Sequence, residues 1–320
     1  MKSGWRDLAI GLATTAALAA VPFAIDLRYV ITQGTLLFIY ATVVTQWNLV
    51  FGVAGIFSLA QMAIFAVGAY SAAMIGFYWQ WPFWQAMLGG AVAAVVFSTL
   101  VGLACLRLRG AYVALLTLAI AQVIYVYIVT DTECFVQTDA GCQQLMGGTR
   151  GLQKFGDLGL RDWLKGDFYI GHYYVALAIL MLATAFSAVI IRGPFGLAFK
   201  ALRDNPGYAM ARGISRFKYQ LWVFALAAFF TGLAGSFYAT NARIVGPTIL
   251  TTPLLLLLMA MMVVGGVGTI WGPLVGSIVL ILTDEALKEA GEWRNVGLGL
   301  MLAFFAVALP RGLVGLGRRN

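Results

Sequence analysis

Long apolar runs follow one another along the whole chain, and they restrict the possible fold more than any other feature. Runs of roughly 17–25 apolar residues can cross the hydrocarbon core of a bilayer as α-helices. Hydrophobic residues make up 61% of the sequence, against roughly 45–50% in soluble domains. The sequence therefore predicts an all-α fold, a polytopic transmembrane helical bundle that forms a single membrane domain over residues 1–320.

We expect about ten spans (8–10), with both termini in the cytoplasm. The first run follows Lys2 and Arg6 and could be a signal peptide, but many further spans favour a retained helix. The eighth and ninth runs are short and interrupted by glycine, so broken or tilted helices are an alternative there. The predicted spans lie near 8–25, 30–50, 58–78, 84–106, 112–130, 172–191, 220–240, 253–268, 272–285 and 295–310.

Positive charge collects on one side of this topology. Loops rich in Lys and Arg face the cytoplasm in most membrane proteins, which assigns the basic 192–220 segment to that side and makes 131–171 an extracytoplasmic loop. The net charge of +8 then reflects topology, with anionic membrane lipid and not nucleic acid as the expected contact. The positive residues of the cytoplasmic side are Lys2, Arg6, Arg107, Arg109, Arg192, Lys200, Arg203, Arg212, Arg216, Lys218, Arg311, Arg318 and Arg319.

Two of the three cysteines, Cys134 and Cys142, lie in the 131–171 loop. In an oxidising compartment they could form a local disulfide, and two free thiols are the alternative. Cys105 lies in an apolar run and is expected to pack there. No cysteine spacing indicates a metal site.

The predicted spans carry polar residues that are neutral, and no charged residue lies near the middle of a span. Such groups need partners in hydrocarbon, and hydrogen bonds between helices are one interpretation. The other interpretation is a pathway for a small neutral or zwitterionic solute. The candidates for that pathway are Asn48, Ser58, Gln61, Thr117 and Gln122.

Motifs of enzymes are missing from the sequence. It has no Gly-Lys dipeptide and hence no phosphate-binding loop of the Walker type, no catalytic carboxylate pair and no nucleophile elbow. The single histidine, His172, lies at a span boundary. We therefore expect a membrane transport subunit that is not an enzyme and holds no cofactor of its own.

Glycines recur every fourth residue at Gly268, Gly272 and Gly276. On one helix this spacing would line a face that lets another backbone approach closely, as a tight packing surface or a sliding interface. Pro273 interrupts the run and is expected to kink or end a helix.

The basic segment 192–220 is expected to contain two short helices. Apolar residues of FGLAFKALR (195–203) recur at helical spacing, Asn205-Pro206 supplies an N-cap followed by proline, and Gly213 is a typical stop with positive φ. Such a segment could dock into a groove on a cytoplasmic protein, or it could bind anionic headgroups. The candidates for coupling contacts are Arg203, Asp204, Asn205, Pro206, Ala209, Ala211, Arg212 and Gly213.

Five stretches, taken in this order, resemble the permeases of ABC importers for branched-chain amino acids, the Liv-type group, and their M-type member more than their H-type member. The Asn205-Pro206-Gly207 stretch departs from the pattern, where an acidic residue is expected before the alanines. The five stretches are GVAGIFSLAQMAIFAVGAYSAA (52–73), LRLRGAYVALLTLAIAQ (106–122), GGTRGL (147–152), GLAFKALRDNPGYAMARGISRFKYQLWVFALAAFFTGLAGSFYA (196–239) and GGVGTIWGPLVGS (265–277).

The resemblance implies a multi-pass subunit of the bacterial inner membrane with four partners. These are a second homologous permease, two cytoplasmic ATPase subunits that bind ATP and Mg, and an extracytoplasmic substrate-binding protein. Residues 192–220 become the coupling loop, with the coupling helix near 205–213, and the substrate becomes a branched-chain amino acid, another amino acid, an amide or urea. The alternatives are a stand-alone secondary transporter or facilitator and a structural subunit of a larger membrane enzyme.

Overall fold

The computed structural model describes residues 2–24, 27–105, 108, 110–138, 141–156, 158–159, 167–288, 296–297, 299–300, 303–305 and 312–316. Helices dominate this part of the chain. They are α1 (Lys2–Ala24), α2 (Arg28–Asn48), α3 (Gln61–Tyr78), α4 (Phe83–Cys105), α5 (Ala111–Val129), α6 (Phe168–Arg192), α7 (Pro194–Asp204), α8 (Pro206–Ala211), α9 (Arg216–Ala242), α10 (Thr252–Gly265), α11 (Gly272–Leu287) and α12 (Gly312–Leu316).

Six of these helices are long and apolar enough to cross a membrane: α2 with the turn that follows it, α3, α4, α5, α6 and α9. The chain is thus a multi-pass membrane protein. α10 and α11 are shorter, with 14 and 16 residues. Most of the tenth predicted span, 295–310, lies outside the described residues, as do Arg107, Arg109, Arg311, Arg318 and Arg319.

The bundle has two ends, which we name by the loops they carry. Residues 192–220 lie at the inner end, and the described residues between α5 and α6 lie at the outer end, because α6 and α9 run in opposite directions between the two ends. The outer end also contains two short antiparallel ribbons, which the all-α prediction missed. Val136–Thr138 pairs with Gly141–Gln143, and Leu152–Gln153 pairs with Ile244–Val245.

Helices α3, α4 and α9 form the most closely packed group. Gly68, Gly90 and Gly232 lie where their backbones meet, so that a Cβ at Gly90 would come within 2.5 Å of the Gly68 carbonyl oxygen. Two hydroxyls tie the group together, Ser98 Oγ donating to Phe224 O at 2.9 Å and Ser236 Oγ donating to Gly68 O at 3.0 Å. These small residues allow the helix backbones to come into contact, as GxxxG-type faces do in membrane proteins.

The opposite face of α4 is apolar and uncovered. Leu88, Val92, Val96 and Leu100 recur every fourth residue and are each about half exposed. Gly90 and Ala94, on the other face of α4, pack against α3 and α9.

The prediction that Gly268, Gly272 and Gly276 line one helix face is wrong in part. Gly268 lies in the turn between α10 and α11 with φ +75°, because Gly265 ends α10 and Gly272 begins α11. Pro273 therefore stands in the first turn of a helix, where proline is tolerated, and neither kinks nor ends one. Gly272 and Gly276 do lie at a close helix contact, with the backbone of Gly265 and Met261 against them.

Candidate functional site

Two interruptions of helical structure meet inside the bundle. After α2, the chain forms one π-helical turn, Leu49–Val53, and then runs without helix until α3 begins at Gln61. We call residues 54–60 the first break. Residues 266–271, between α10 and α11, form the second break. Backbone that leaves a helix loses its intrahelical hydrogen bonds and needs other partners. Broken helices often form the substrate sites of transporters, which makes both breaks functional candidates.

Side chains of neighbouring helices satisfy the backbone of the first break. Trp47 Nε1 donates to Ser58 O at 2.8 Å, and the Leu59 amide donates to Thr117 Oγ1 of α5 at 2.9 Å. The Ala60 amide donates to Ser58 Oγ at 3.3 Å. These bonds pair three backbone groups of the break, Ser58 O, Leu59 N and Ala60 N.

Asn48 joins the two breaks. Its Nδ2 donates to Thr269 O at 2.8 Å, and its Oδ1 accepts from the Gly268 amide at 2.7 Å. One buried amide thus pairs with a backbone donor and a backbone acceptor of the second break. Gly52 and Gly268 are in backbone contact beside it, since a Cβ at Gly52 would come within 2.9 Å of Gly268 Cα.

The two breaks are also similar in sequence. Gly52-Val53 precedes Ile56 and Phe57 at the spacing with which Gly266-Val267 precedes Ile270 and Trp271. Each stretch begins where a helix coming from the outer end stops and precedes one that returns there. The bundle therefore contains two similar hairpins whose turning points touch.

The proposed pathway residues belong mostly to this junction. Asn48, Ser58, Gln61 and Thr117 are buried, and each has a hydrogen-bond partner within the chain. Gln61 Nε2 donates to Thr231 Oγ1 of α9. Gln122 is half-buried, farther along α5. The side chains of Asn48, Gln61 and Thr117 hydrogen-bond to another helix or break, whereas Ser58 Oγ bonds within its own break.

The basic segment folds into two short helices with the expected boundaries. α7 ends at Asp204, Asn205 Oδ1 accepts from the Tyr208 amide at 3.0 Å as the N-cap of α8, and Pro206 follows it. Gly213 has φ +86° and comes directly after the last turn. Ser215 then caps α9, its hydroxyl accepting from the Lys218 amide at 3.5 Å.

Most of the coupling candidates are exposed at the inner end. Arg203, Asp204, Asn205, Pro206, Ala211, Arg212 and Gly213 are exposed, whereas Ala209 is buried and anchors α8. A cavity of about 450 Å³ lies between this segment and the first break, with Gly55, Phe57, Pro206 and Met210 in its wall.

Comparison with protein families decides the identity. Residues 29–309 match the model of the branched-chain amino acid transport system permease component. The chain belongs to this permease family. Two curated relatives of the permease are the high-affinity branched-chain amino acid transport system permease proteins LivM of Escherichia coli strain K12 and Salmonella typhimurium strain LT2. Each is 26% identical over 253 residues, which cover 75% of this chain and 59% of the relative.

The permease thus spans 59% of the length of these relatives. No solved structure matches it.

Two exposed side chains of the permease were missed by sequence reasoning. Tyr208 and Met210 project from α8 between the coupling candidates, 60% and 47% exposed. Arg212 lies against the Tyr208 ring and donates to its hydroxyl at 2.7 Å. Their apolar side chains within an otherwise basic segment are visible in the sequence, and apolar residues in water point to a contact surface.

The outer end of the permease carries the disulfide and a polar cavity. Cys134 and Cys142 are joined, with Cα atoms 5.5 Å apart, whereas Cys105 is free and buried. A cavity of about 300 Å³ between α2, α6 and α9 is lined by Arg28, Thr32, Thr35, Phe168, Tyr169, His172, Thr240, Asn241 and Arg243. Within the described residues no three His, Cys, Asp or Glu side chains are grouped to hold a metal ion.

A lysine at the outer end has a raised pKa. Lys288, just beyond α11, bonds to Glu285, and this hydrogen bond raises the pKa of the ammonium above its usual value. Tyr29 at the start of α2 donates its hydroxyl to Glu285 and accepts from Lys288 Nζ at 3.1 Å. The cluster fastens the start of α2 to the end of α11.

Proposed function

We propose that this permease is the transmembrane subunit of an ATP-driven ABC importer for branched-chain or related small amino acids, and that it couples the cycle of partner ATPases to substrate passage. The observation that carries the proposal is the 192–220 segment. In a chain of this family it forms two short helices at one end of the bundle, with Tyr208, Met210 and Arg212 exposed. An exposed, basic and partly apolar helix suits a groove on another protein.

The proposed assembly has four further subunits. A second homologous permease would complete the membrane part, two cytoplasmic ATPases would bind ATP and Mg, and an extracytoplasmic binding protein would deliver the substrate. The membrane is then the bacterial inner membrane, 1–320 is one permease domain, 131–171 is the extracytoplasmic loop and 192–220 is the coupling loop. Neutral side chains at the junction of the two breaks suit a zwitterion or neutral solute and leave amino acids, amides and urea as candidates.

Contacts of α1 and α12 support the proposed ten spans with cytoplasmic termini. Gly11 packs against the Trp271 ring in the second break, whereas Leu18 O accepts from Tyr173 Oη at 2.6 Å near the outer end of α6. α1 therefore begins at the inner end. Gly312 packs against the backbone of Gly266, so that α12 also lies at the inner end.

Purification and reconstitution test this proposal. The tagged chain is isolated from its native membrane, its co-purifying subunits are identified, and the assembly is placed in proteoliposomes with the cognate binding protein. We expect ATPase subunits to co-purify and uptake of leucine or a related solute to require ATP. Gradient-driven flux through the chain alone, indifferent to ATP, would establish the facilitator instead.

A further inference from the structure

Arg203, at the end of α7, reaches into the first break. Its Nη1 donates to Gly52 O at 2.8 Å, and its Nε pairs with Asp204 Oδ1 at 2.9 Å. The aliphatic part of the side chain lies on Gly55, where an added Cβ would overlap Arg203 Cγ and come within 3.1 Å of its Cβ. Gly55 also has φ +70°. Arg203 thus contacts both ends of the turn that leads out of α2.

The Gly52 carbonyl needs such a partner because a helix ends here. The last carbonyls of a helix have no intrahelical donor, and a positive side chain near them is favoured by the helix dipole. Nearby carbonyls are served by the chain itself, the Ala54 amide donating to Leu49 O at 3.1 Å and the Ile56 amide donating to Val50 O at 3.0 Å. For Gly52 O the donor is Arg203, which belongs to the 192–220 segment. We call 192–220 the coupling segment from here on.

The contact continues from Gly52 to the second break. Gly52 packs against Gly268, and Asn48, one turn before Gly52, holds the Gly268 amide and the Thr269 carbonyl. The chain of contacts therefore runs from Arg203 to Gly52, and from there to Gly268 and Thr269. It joins residues far apart in sequence, since Arg203 is 151 residues from Gly52 and Asn48 is 220 residues from Gly268.

The coupling segment has room to move relative to the first break. The cavity of about 450 Å³ lies between Pro206 and Met210 on one side and Gly55 and Phe57 on the other, and Arg203 in its wall donates to Gly52 O. Close-packed protein has low compressibility and transmits displacement. A shift of α7 can therefore reach the turn after α2 through Arg203 and through Phe199, which is buried in one apolar cluster with Val50 and Val53.

We propose that Arg203 is a positioning residue that links the coupling segment to both helix breaks. When a partner displaces α7 and α8, Arg203 passes the movement to Gly52, and the Gly52–Gly268 contact and Asn48 pass it to the second break. This inference rests on the proposed function for its role in transport, but its structural part can be tested without any partner.

The structural test uses a spin label in the second break. Val267 is 41% exposed and can carry the label as Val267→Cys, in a Cys105→Ala background that keeps the Cys134–Cys142 disulfide. We expect Arg203→Gln to increase the mobility of the label. Lys200→Gln, which removes the same charge from the same helix, should not change it, and Arg203→Lys should restore part of the immobilisation. A spectrum of Arg203→Gln identical to that of the parent overturns the inference.

The functional test uses the assembled transporter. We expect Arg203→Gln to keep its ATPase partners and to import about three- to tenfold less substrate per ATP hydrolysed, the range that loss of one hydrogen bond typically produces. Lys200→Gln should keep the parental ratio. Loss of ATPase binding in Arg203→Gln would make Arg203 a docking residue and overturn the inference. Absence of ATP-driven uptake in the parent would reject the proposed function and leave the spin-label result to decide the link.

Discussion

Asn48 illustrates how one side chain can hold two distant parts of the fold. Replacement by alanine leaves the Gly268 amide and the Thr269 carbonyl without their partner in a partly buried site. Each such group costs about 1–3 kcal/mol. We expect Asn48→Ala to lower the thermal unfolding midpoint in detergent clearly, while Gln122→Ala, which changes the same kind of side chain at a half-buried position, does so much less. Equal unfolding midpoints for the two variants would contradict the conclusion that Asn48 holds the two parts of the fold together.

Gly213 gives a second prediction at the scale of the residue. Its φ of +86° favours glycine, and no heavy atom lies within 4 Å of where a Cβ would be, so only backbone strain opposes a side chain. Gly213→Val should weaken stimulation of the ATPases by substrate, because β-branched residues avoid this conformation. Gly213→Asn, which tolerates positive φ, should retain most of it. Equal stimulation in both variants would show that the turn is not needed.

The residues that sequence reasoning predicted well are those whose partners are close along the chain. The Asn205 cap, Pro206 and Gly213 follow from local backbone chemistry, and the structure has them as expected. Asn48 stands out in the sequence as a polar residue of a span and Arg203 as part of the basic segment, but their contacts lie 220 and 151 residues away. Only the packed bundle brings those partners together, so no local pattern could name them.

At the scale of elements, adjacent glycines of α4 test whether the contact of α3, α4 and α9 requires bare backbone. A Cβ at Gly90 would lie 2.5 Å from Gly68 O and 3.1 Å from Ala72 Cβ, whereas one at Gly89 would meet only the end of the Ile75 side chain. Gly90→Ala should therefore destabilise by about 1–3 kcal/mol through overpacking. Gly89→Ala should be neutral or stabilising, because alanine has the higher helix propensity. Thermal unfolding in detergent measures both, and a stable Gly90→Ala would refute the packing.

The long spans were predictable and the breaks were not, for one physical reason. A helix that faces lipid or an apolar core must be apolar along its length, and this is visible in any window of the sequence. The first break is largely apolar as well, since AGIFSLA (54–60) contains one polar side chain, Ser58, and two of its backbone groups are paired by Trp47 and Thr117 of neighbouring helices. Its sequence therefore looks like the start of the next span. The glycines of the second break are visible in the sequence, but their recurrence every fourth residue predicts one face of a helix and not a turn.

At the scale of the whole molecule, the proposed orientation follows from one helix and one charge argument. α6 contains 25 residues, which at 1.5 Å each exceed the roughly 30 Å of hydrocarbon. The two loops that it joins must then lie on opposite sides of the membrane. The inner one carries Lys200, Arg212 and Lys218, which favour the cytoplasm. The outer one carries the Cys134–Cys142 disulfide, which persists in an oxidising compartment.

Cysteine labelling tests this orientation directly. In the Cys105→Ala background, Met210→Cys places a thiol on the exposed α8 and Gln153→Cys places one on the exposed outer ribbon. We expect a membrane-impermeant maleimide to label Gln153→Cys in intact cells and Met210→Cys only in inverted vesicles. The reason is that the reagent reaches only the outer face of the membrane in intact cells and only the inner face in inverted vesicles. The parent background, whose two remaining cysteines are bonded, is the control and should stay unlabelled in both. Labelling of Met210→Cys from outside would show that the topology is the reverse of the proposed one. The 192–220 segment would then face away from any cytoplasmic ATPase.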